Sequence, residues 1–176
     1  MTLISEPYRD LNKQLHATRP DYGANSAKWA KQVSELVFAL QAKTLLDYGC
    51  GKGALGKALS HLLVANYDPA IEGLNETPEP ADLVVCTDVL EHIEPDCLDS
   101  VLDDLKRCAL MAVFLTVATR PAVKTLADGR NAHLIQMPMK WWLPKIMERW
   151  DLRMVQATPL EFAIFALKSG ANGSGT

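Results

Sequence analysis

Residues 43–56 read Lys43-Thr-Leu-Leu-Asp47-Tyr-Gly49-Cys50-Gly51-Lys-Gly53-Ala-Leu-Gly56. The run KTLLDY has the look of a short buried strand, and from Ala54 to Leu62 apolar residues return at helical spacing. The spacing therefore predicts a strand, a glycine-rich turn and a helix. Glycine at a strand end lets the backbone turn tightly and approach a ligand, and the start of the following helix offers unpaired N–H groups. A nucleotide-like cofactor suits that arrangement. Twenty-one residues beyond Asp47, Asp68 ends the next apolar run, Leu63–Asp68, where a carboxylate can accept hydrogen bonds from both hydroxyls of a ribose. The same glycines also satisfy GxGxxG as Gly51-x-Gly53-x-x-Gly56, a dinucleotide pattern.

Outward from this stretch, strands and helices alternate. Trp29, Val33, Leu36, Val37 and Leu40 recur at helical spacing, with Asn25 or Ser26 as a cap, so a helix is expected over 24–40. Asp82–Thr87 (DLVVCT) and Leu110–Val117 are apolar throughout, as strands buried on both faces of a parallel sheet are. Pro95, then Leu98, Val101, Leu102 and Leu105, predicts a helix between them that runs to about Cys108. Trp141, Trp142, Ile146, Met147 and Trp150 predict a last helix, followed by strands at 152–157 and 161–168. Only Ala157–Pro159 separates those strands, too little chain for a parallel crossover, so they must be antiparallel neighbours. The order implies an α/β fold with a Rossmann-like, doubly wound, mostly parallel sheet, an antiparallel last strand, and its ligand at the carboxyl ends of the strands. Residues 1–23 read as an N-terminal arm or lid, 24–168 as the domain, and 169–176 (SGANGSGT) as a disordered tail.

Composition bounds the rest. A chain of 176 residues with 48% apolar and 22% charged residues is long and apolar enough to form a core, which argues against a disordered or fibrous protein. No apolar run is long enough to span a bilayer, and the opening MTLISEPYRD has no apolar stretch of signal-peptide length. Cys50, Cys86, Cys97 and Cys108 show no CxxC spacing, which favours reduced thiols in a cytoplasmic protein and no metal site. The net charge of −3 hides an asymmetry: residues 66–104 hold twelve acids and no Lys or Arg, whereas 120–153 hold seven bases against three acids. An acidic block argues against duplex nucleic acid as partner, while the basic segment could attract a small anion.

LLDYGCGKG together with ADLVVCTDVLEHIEP resembles the class I S-adenosylmethionine-dependent methyltransferases, as a small single-domain member, over about residues 43–117. The resemblance implies S-adenosylmethionine as cofactor. It implies that Gly49, Gly51 and the backbone near Cys50 hold the methionine part, with Gly53 in the same loop, and that Asp47 orients the amino group. Asp68, with Pro69 beside it, would bind the ribose, while Asp88, Val89 and Leu90 would line the cofactor edge, Leu90 and Glu91 also positioning the turn. One departure stands out. The family usually places a helix, a strand and another helix where only the thirteen residues Pro69–Ala81 occur here, so its acidic adenine contact has no counterpart. Ile71 or the 88–90 turn could take that role. A nicotinamide enzyme, the rival reading of the glycines, fits less well because Asp47 lies inside the strand end and the chain has no room for a separate substrate domain.

Methyl transfer from a sulfonium needs alignment and exclusion of water, and a general base helps when the acceptor is a hydroxyl or amine. His133, in ADGRNAHLIQMP, is the first candidate base, with Asp128 and Arg130 as catalytic companions. Arg130 could grip an anionic substrate bidentately; alternatively these groups satisfy their own loop, with Asp128-Gly129 as a turn. Arg120, Asn131, His92 and Tyr22 are candidates for substrate binding, although His92 could equally pair with Asp88 or cap a helix. Trp29, Tyr8, His16 and Tyr22 could belong to a lid, or to a surface arm packed on the sheet edge. The expected acceptor is a small polar or anionic molecule, methylated on oxygen or nitrogen, with no membrane partner. Two alternatives make different forecasts: a protein or RNA acceptor predicts one contiguous exposed basic patch, and a non-catalytic, cofactor-binding partner subunit predicts either weak cofactor binding without turnover or a large exposed apolar patch around the Trp helix.

Overall fold

A computed structural model describes residues 2–18 and 25–170. Strand β1 (Leu45–Tyr48) is buried along its whole length and pairs in parallel with β2 (Val64–Tyr67) on one side and β3 (Ala81–Thr87) on the other. β3 pairs in parallel with β4 (Ala109–Ala118). β5 (Trp150–Ala157) and β6 (Glu161–Lys168) are antiparallel neighbours as expected, and β6 docks antiparallel on β4, giving the order β2-β1-β3-β4-β6-β5. The fold is the anticipated α/β architecture, a mostly parallel six-stranded sheet with an antiparallel last strand.

Successive side chains of a strand point to opposite faces, and here both faces are buried. Val84 and Cys86 of β3 and Val113, Leu115 and Val117 of β4 join one core with Leu98, Val101, Leu102 and Leu105 of α4 (Leu98–Cys108) and Trp142 and Ile146 of α5 (Met139–Met147). Leu83, Val85, Ala112 and Phe114 belong to the core on the other side, with Val33 of α2 (Ala30–Leu40) and Leu55 of α3 (Ala54–Ala58). Adjacent helical side chains diverge by about 100°, so only one of the two neighbouring tryptophans can enter the core: Trp142 is fully buried and Trp141 is half-buried. Arg149, only 8% exposed, ties the end of α5 to α4 by donating to Asp103 at 2.7 Å and Asp99 at 3.3 Å.

Several boundaries differ from expectation. The segment expected as an arm or lid, with no secondary structure assigned to it, contains α1 (Glu6–Thr18), started by Ser5, whose Oγ accepts the Tyr8 N–H at 3.3 Å. Its Tyr8 and Leu15 pack on Leu126 and Ala132 of the connection after β4. The helix expected over 24–40 is a 3₁₀ turn at Asn25–Trp29 followed by α2, whose cap position holds Trp29 rather than Asn25 or Ser26. α3 stops at Ala58, short of the expected Leu62, and Trp150 opens β5 instead of ending α5. Between β2 and β3 the chain contains no helix or strand, so β2 is an edge strand, with Ala65 and Asn66 exposed. Among the described residues no helix is long and apolar enough to cross a membrane.

Candidate active site

A cleft of about 550 Å³ lies where β1, β2, β3 and β4 end, lined by Gly49, Asp68, Thr87 and Ala118 from those four ends. A larger groove of about 870 Å³ follows the β2 edge and meets the cleft at His16, Gly51 and Ala70. The cleft, at the carboxyl ends of the parallel strands, is where this architecture places ligands.

The glycine loop forms one wall. Gly49 and Cys50 donate their N–H groups to Tyr67 O at 2.7 and 3.0 Å, which folds the loop back over the end of β2. Gly49 has φ +77°, and a Cβ there would lie 2.4 Å from Val89 Cγ2, so a side chain fits neither its conformation nor its space. Asp68, 7% exposed, accepts Gly51 N–H on Oδ2 at 3.0 Å and Ala70 N–H on Oδ1 at 2.9 Å. Its remaining lone pairs stay available, and His16 Nε2 of α1 stands 4.0 Å away. Asp47 is 1% exposed, its Oδ2 has no partner, and burial, reinforced by the Asp68 charge, pushes its pKa up to about 7.

The turn after β3 forms the floor. Asp88 adopts φ +56°, uncommon for a residue with a side chain, and is held there by β4: its N–H donates to Thr116 Oγ1 at 3.0 Å, and that hydroxyl donates to Asp88 Oδ1 at 3.1 Å. Glu91 follows, fully buried yet lining the cleft. Its Oε1 accepts Ala118 N–H at 2.9 Å, its Oε2 has no partner, and burial, with the Asp88 charge adding to it, pushes its pKa up to about 8.

Opposite the loop, the rings of His92 and His133 meet edge to face at 4.7 Å. His92 Nδ1 lies 2.8 Å from Ala132 O and His133 Nδ1 lies 2.7 Å from Arg120 O. A carbonyl only accepts, so each ring carries its proton on Nδ1 and its lone pair on Nε2. Burial lowers both pKa values, that of His92 to about 3, with the neighbouring His133 as second cause. Tyr8 of α1 donates its hydroxyl to His92 O, and Ser5 donates to Glu94 Oε1 at 2.7 Å, so α1 is fastened to this same turn.

The structure brings some of the expected site residues to the cleft and leaves others outside it. His133, His92 and Arg120 line the cleft, as do Gly49, Gly51, Asp68, Pro69, Asp88 and Val89. Asp128 and Arg130 do not: they close an exposed turn in which Arg130 Nε donates to Asp128 Oδ2 at 2.7 Å, with the guanidinium over the Tyr8 ring. The Asp-Gly turn uses up its own polar groups, as that sequence does when it caps a hairpin-like loop. Asn131 does not line the cleft either. It spends its amide on the loop backbone, accepting from Ala122 N–H and His133 N–H at 2.9 Å each, and so sets the position of His133. Leu90 is fully buried in the core below the turn, Gly53 borders the β2 groove, and Cys50 is buried among backbone groups. Tyr22 lies outside the described residues. Sequence reasoning did not assign a ligand role to Glu91, Thr87 or Lys28. Thr87 Oγ1 is buried without a partner, and Lys28 Nζ reaches Glu161 at 2.9 Å and Asp88 at 3.9 Å across three distant segments.

A family model described as a methyltransferase domain matches residues 22–160, most of the chain. The chain belongs to this methyltransferase domain family. No curated protein matches the methyltransferase in sequence. Solved structures are similar to it in fold at low identity. The 1,6-didemethyltoxoflavin-N1-methyltransferase of Burkholderia thailandensis, with 1,6-didemethyltoxoflavin and S-adenosylhomocysteine bound, superposes with a TM-score of 0.68 at 13% identity, covering 96% of this chain and 92% of that one. A DhpI complex with S-adenosylhomocysteine gives 0.64 at 17% identity, covering 94% and 99%. The magnesium protoporphyrin IX methyltransferase of Synechocystis PCC 6803, with S-adenosylhomocysteine bound, gives 0.58 at 17%, covering 81% and 83%.

Proposed function

We propose that this methyltransferase uses S-adenosylmethionine to methylate an oxygen or nitrogen of a small polar or anionic molecule. The observation that carries this reading is that one cleft joins the glycine loop and Asp68 on one side to the paired histidines and Arg120 on the other. Donor and acceptor can therefore meet in a single cleft. Similar structures named for magnesium protoporphyrin IX and for 1,6-didemethyltoxoflavin support a small acceptor.

The residues fit the donor. Asp47 does not itself line the cleft but has a buried carboxylate oxygen with no partner, suited to an ammonium that reaches it past the glycine loop; Asp68 keeps lone pairs for the ribose hydroxyls; Thr87 offers an unpartnered hydroxyl. When bound, S-adenosylmethionine supplies an electrophilic methyl group. The chain's own task is to orient the acceptor and take up its proton, and His133, neutral with its lone pair on Nε2, is the base. Arg120, half-buried on the cleft wall, is the cation available to an anionic acceptor. For adenine, Ile71 lines the adjoining groove together with Leu74 and Val64 and offers an apolar contact.

Against the polyanion alternative, three of the seven bases of residues 120–153 are committed elsewhere: Arg149 is buried among acids, Arg130 is paired with Asp128, and Arg120 lines the cleft. Of the two forecasts of the partner-subunit alternative, the apolar patch finds little support on α5, where Met147 is the large apolar residue well exposed, and the other, cofactor binding without turnover, is read by the acceptor assay.

Calorimetric titration with S-adenosylhomocysteine tests the reading, and Asp47 gives it a specific signature. The folded pKa near 7 lies above the unfolded value of 3.8, so the stability this group contributes is fully present below pH 3.8 and is lost as pH rises through 7. An ammonium beside Asp47 favours the carboxylate, so binding at pH 6 should release most of one proton, and affinity should rise with pH until about 7. Buffers of different ionisation enthalpy measure that proton. Its release should vanish in Asp47→Asn, and a wild-type binding heat independent of buffer would remove Asp47 from the site.

With an acceptor in hand, His133→Ala should lower turnover by about 100-fold or more while S-adenosylhomocysteine affinity changes little. Arg130→Ala should keep turnover within about twofold, because its side chain lies outside the cleft. The opposite pattern in steady-state kinetics would restore the loop-tip assignment.

A further inference from the structure

We propose that Glu91, His92 and His133 form a binding site for one divalent first-row transition-metal ion on the acceptor side of the cleft. The inference rests on the reading of the cleft given above and deepens it by naming the acceptor as a hydroxyl.

Three observations point to it independently of each other. The ligand atoms offered by these three residues lie within 4.8 Å of one another, so shifts of roughly an ångström would bring them to the 2.0–2.2 Å bonds that Zn²⁺ and its neighbours make to imidazole and carboxylate. Glu91 is fully buried, lines the cleft, and leaves Oε2 with no partner, although an unmet carboxylate oxygen is costly to bury. A cation beside it offsets that cost. Both imidazoles are already set as metal-binding imidazoles are: each directs Nδ1 to a backbone carbonyl, Ala132 O or Arg120 O, which places the coordinating lone pair on Nε2 and fixes the ring plane.

The donor set indicates the class of ion. Two imidazoles and one carboxylate suit Zn²⁺, Co²⁺, Mn²⁺ or Fe²⁺ better than Mg²⁺ or Ca²⁺, which prefer oxygen alone. Three protein ligands leave coordination positions open, and the neighbouring cleft is where a substrate would fill them. Asp88, which lines the same cleft, adds negative charge to the surroundings. The expectation of no metal came from cysteine spacing, and this set contains no cysteine.

The chemistry follows. A hydroxyl touching the cation has its pKa lowered. Its proton leaves to solvent, the oxygen's electron pair forms the bond to the methyl carbon, and the carbon–sulfur bond breaks with its pair going to sulfur, leaving a thioether. His133 acts as the base only while the ion is absent; with the ion bound its lone pair is a ligand, and the cation takes over activation of the acceptor.

Tag-free protein, stripped with a chelator, is titrated with CoCl₂ by visible absorption and with ZnCl₂ by calorimetry. One equivalent per chain should bind, with ligand-field bands for Co²⁺, and Glu91→Gln and His133→Gln should each weaken uptake at least about tenfold. Gln at position 91 keeps an oxygen for the Ala118 N–H, so this variant retains its local hydrogen bond. Circular dichroism checks that both variants fold; should neither fold, the wild-type stoichiometry and bands decide alone. Failure of the wild type to take up either ion, or uptake unmoved in both folded variants, overturns the proposal. S-adenosylhomocysteine titrated into the stripped protein separates the two readings: affinity for it without metal uptake sinks the cation and leaves the donor site standing, and metal uptake without that affinity does the reverse.

Discussion

Asp68→Ala is expected to weaken S-adenosylhomocysteine binding by about 100-fold or more. A hydrogen bond to a charged group contributes about 1.5–3 kcal/mol, and the proposed ribose contact uses two of them. The substitution also strips the acceptor from Gly51 N–H and Ala70 N–H, both buried, so unfolding in urea should begin at lower denaturant. These two losses can be told apart. A deoxyribose analogue of S-adenosylhomocysteine should bind the wild type more weakly than the parent compound does, whereas the variant should no longer discriminate between the two. Discrimination that persists in Asp68→Ala would place the ribose elsewhere.

Gly49→Ala should cost stability by about 3 kcal/mol. Part of this is conformational, since φ +77° costs an L-residue roughly 1–2 kcal/mol; the rest is steric, because the new Cβ meets Val89 Cγ2 at 2.4 Å and Cγ1 at 2.9 Å. The steric share has a partner that can be removed. In a Val89→Ala background both Cγ atoms are gone and the nearest Val89 contact becomes its Cβ at 3.2 Å, so the penalty should shrink towards the conformational share. Equal penalties in the two backgrounds would mean that the loop does not approach the β3 turn as described. Gly129, whose added Cβ would meet nothing within 4 Å, keeps only the conformational penalty of its φ of +89°.

The parts of this protein that were legible in sequence are those written in short-range pattern. KTLLDYGCGKG announces its strand and turn because neighbouring residues alone dictate them, and the three residues between β5 and β6 permit only an antiparallel return. The gap at 69–81 could be read from chain length. What escaped reading depends on distant partners. Nothing local marks Glu91 as a buried carboxylate with one oxygen to spare; that follows from the Ala118 N–H twenty-seven residues away occupying the other oxygen. Arg130 and Asp128 look like substrate-binding groups until the turn brings them onto each other. α1 did carry a signal, Tyr8, Leu11 and Leu15 at helical spacing behind Ser5, but its polar composition masked an amphipathic face that packs on a loop rather than on the sheet.

The missing third strand changes how the β2 edge is held. β2 is four residues long and has a ladder on one side only, so by its own hydrogen bonds it is the strand most prone to fray. Yet the loop after β1 clasps its far end twice, Gly49 and Cys50 gripping Tyr67 O while Asp68 grips Gly51 in return. A ligand held by Asp68 would thus act as a clip on the sheet margin, and occupancy of the cleft would register as slower opening of an outer strand whose backbone the ligand need not touch.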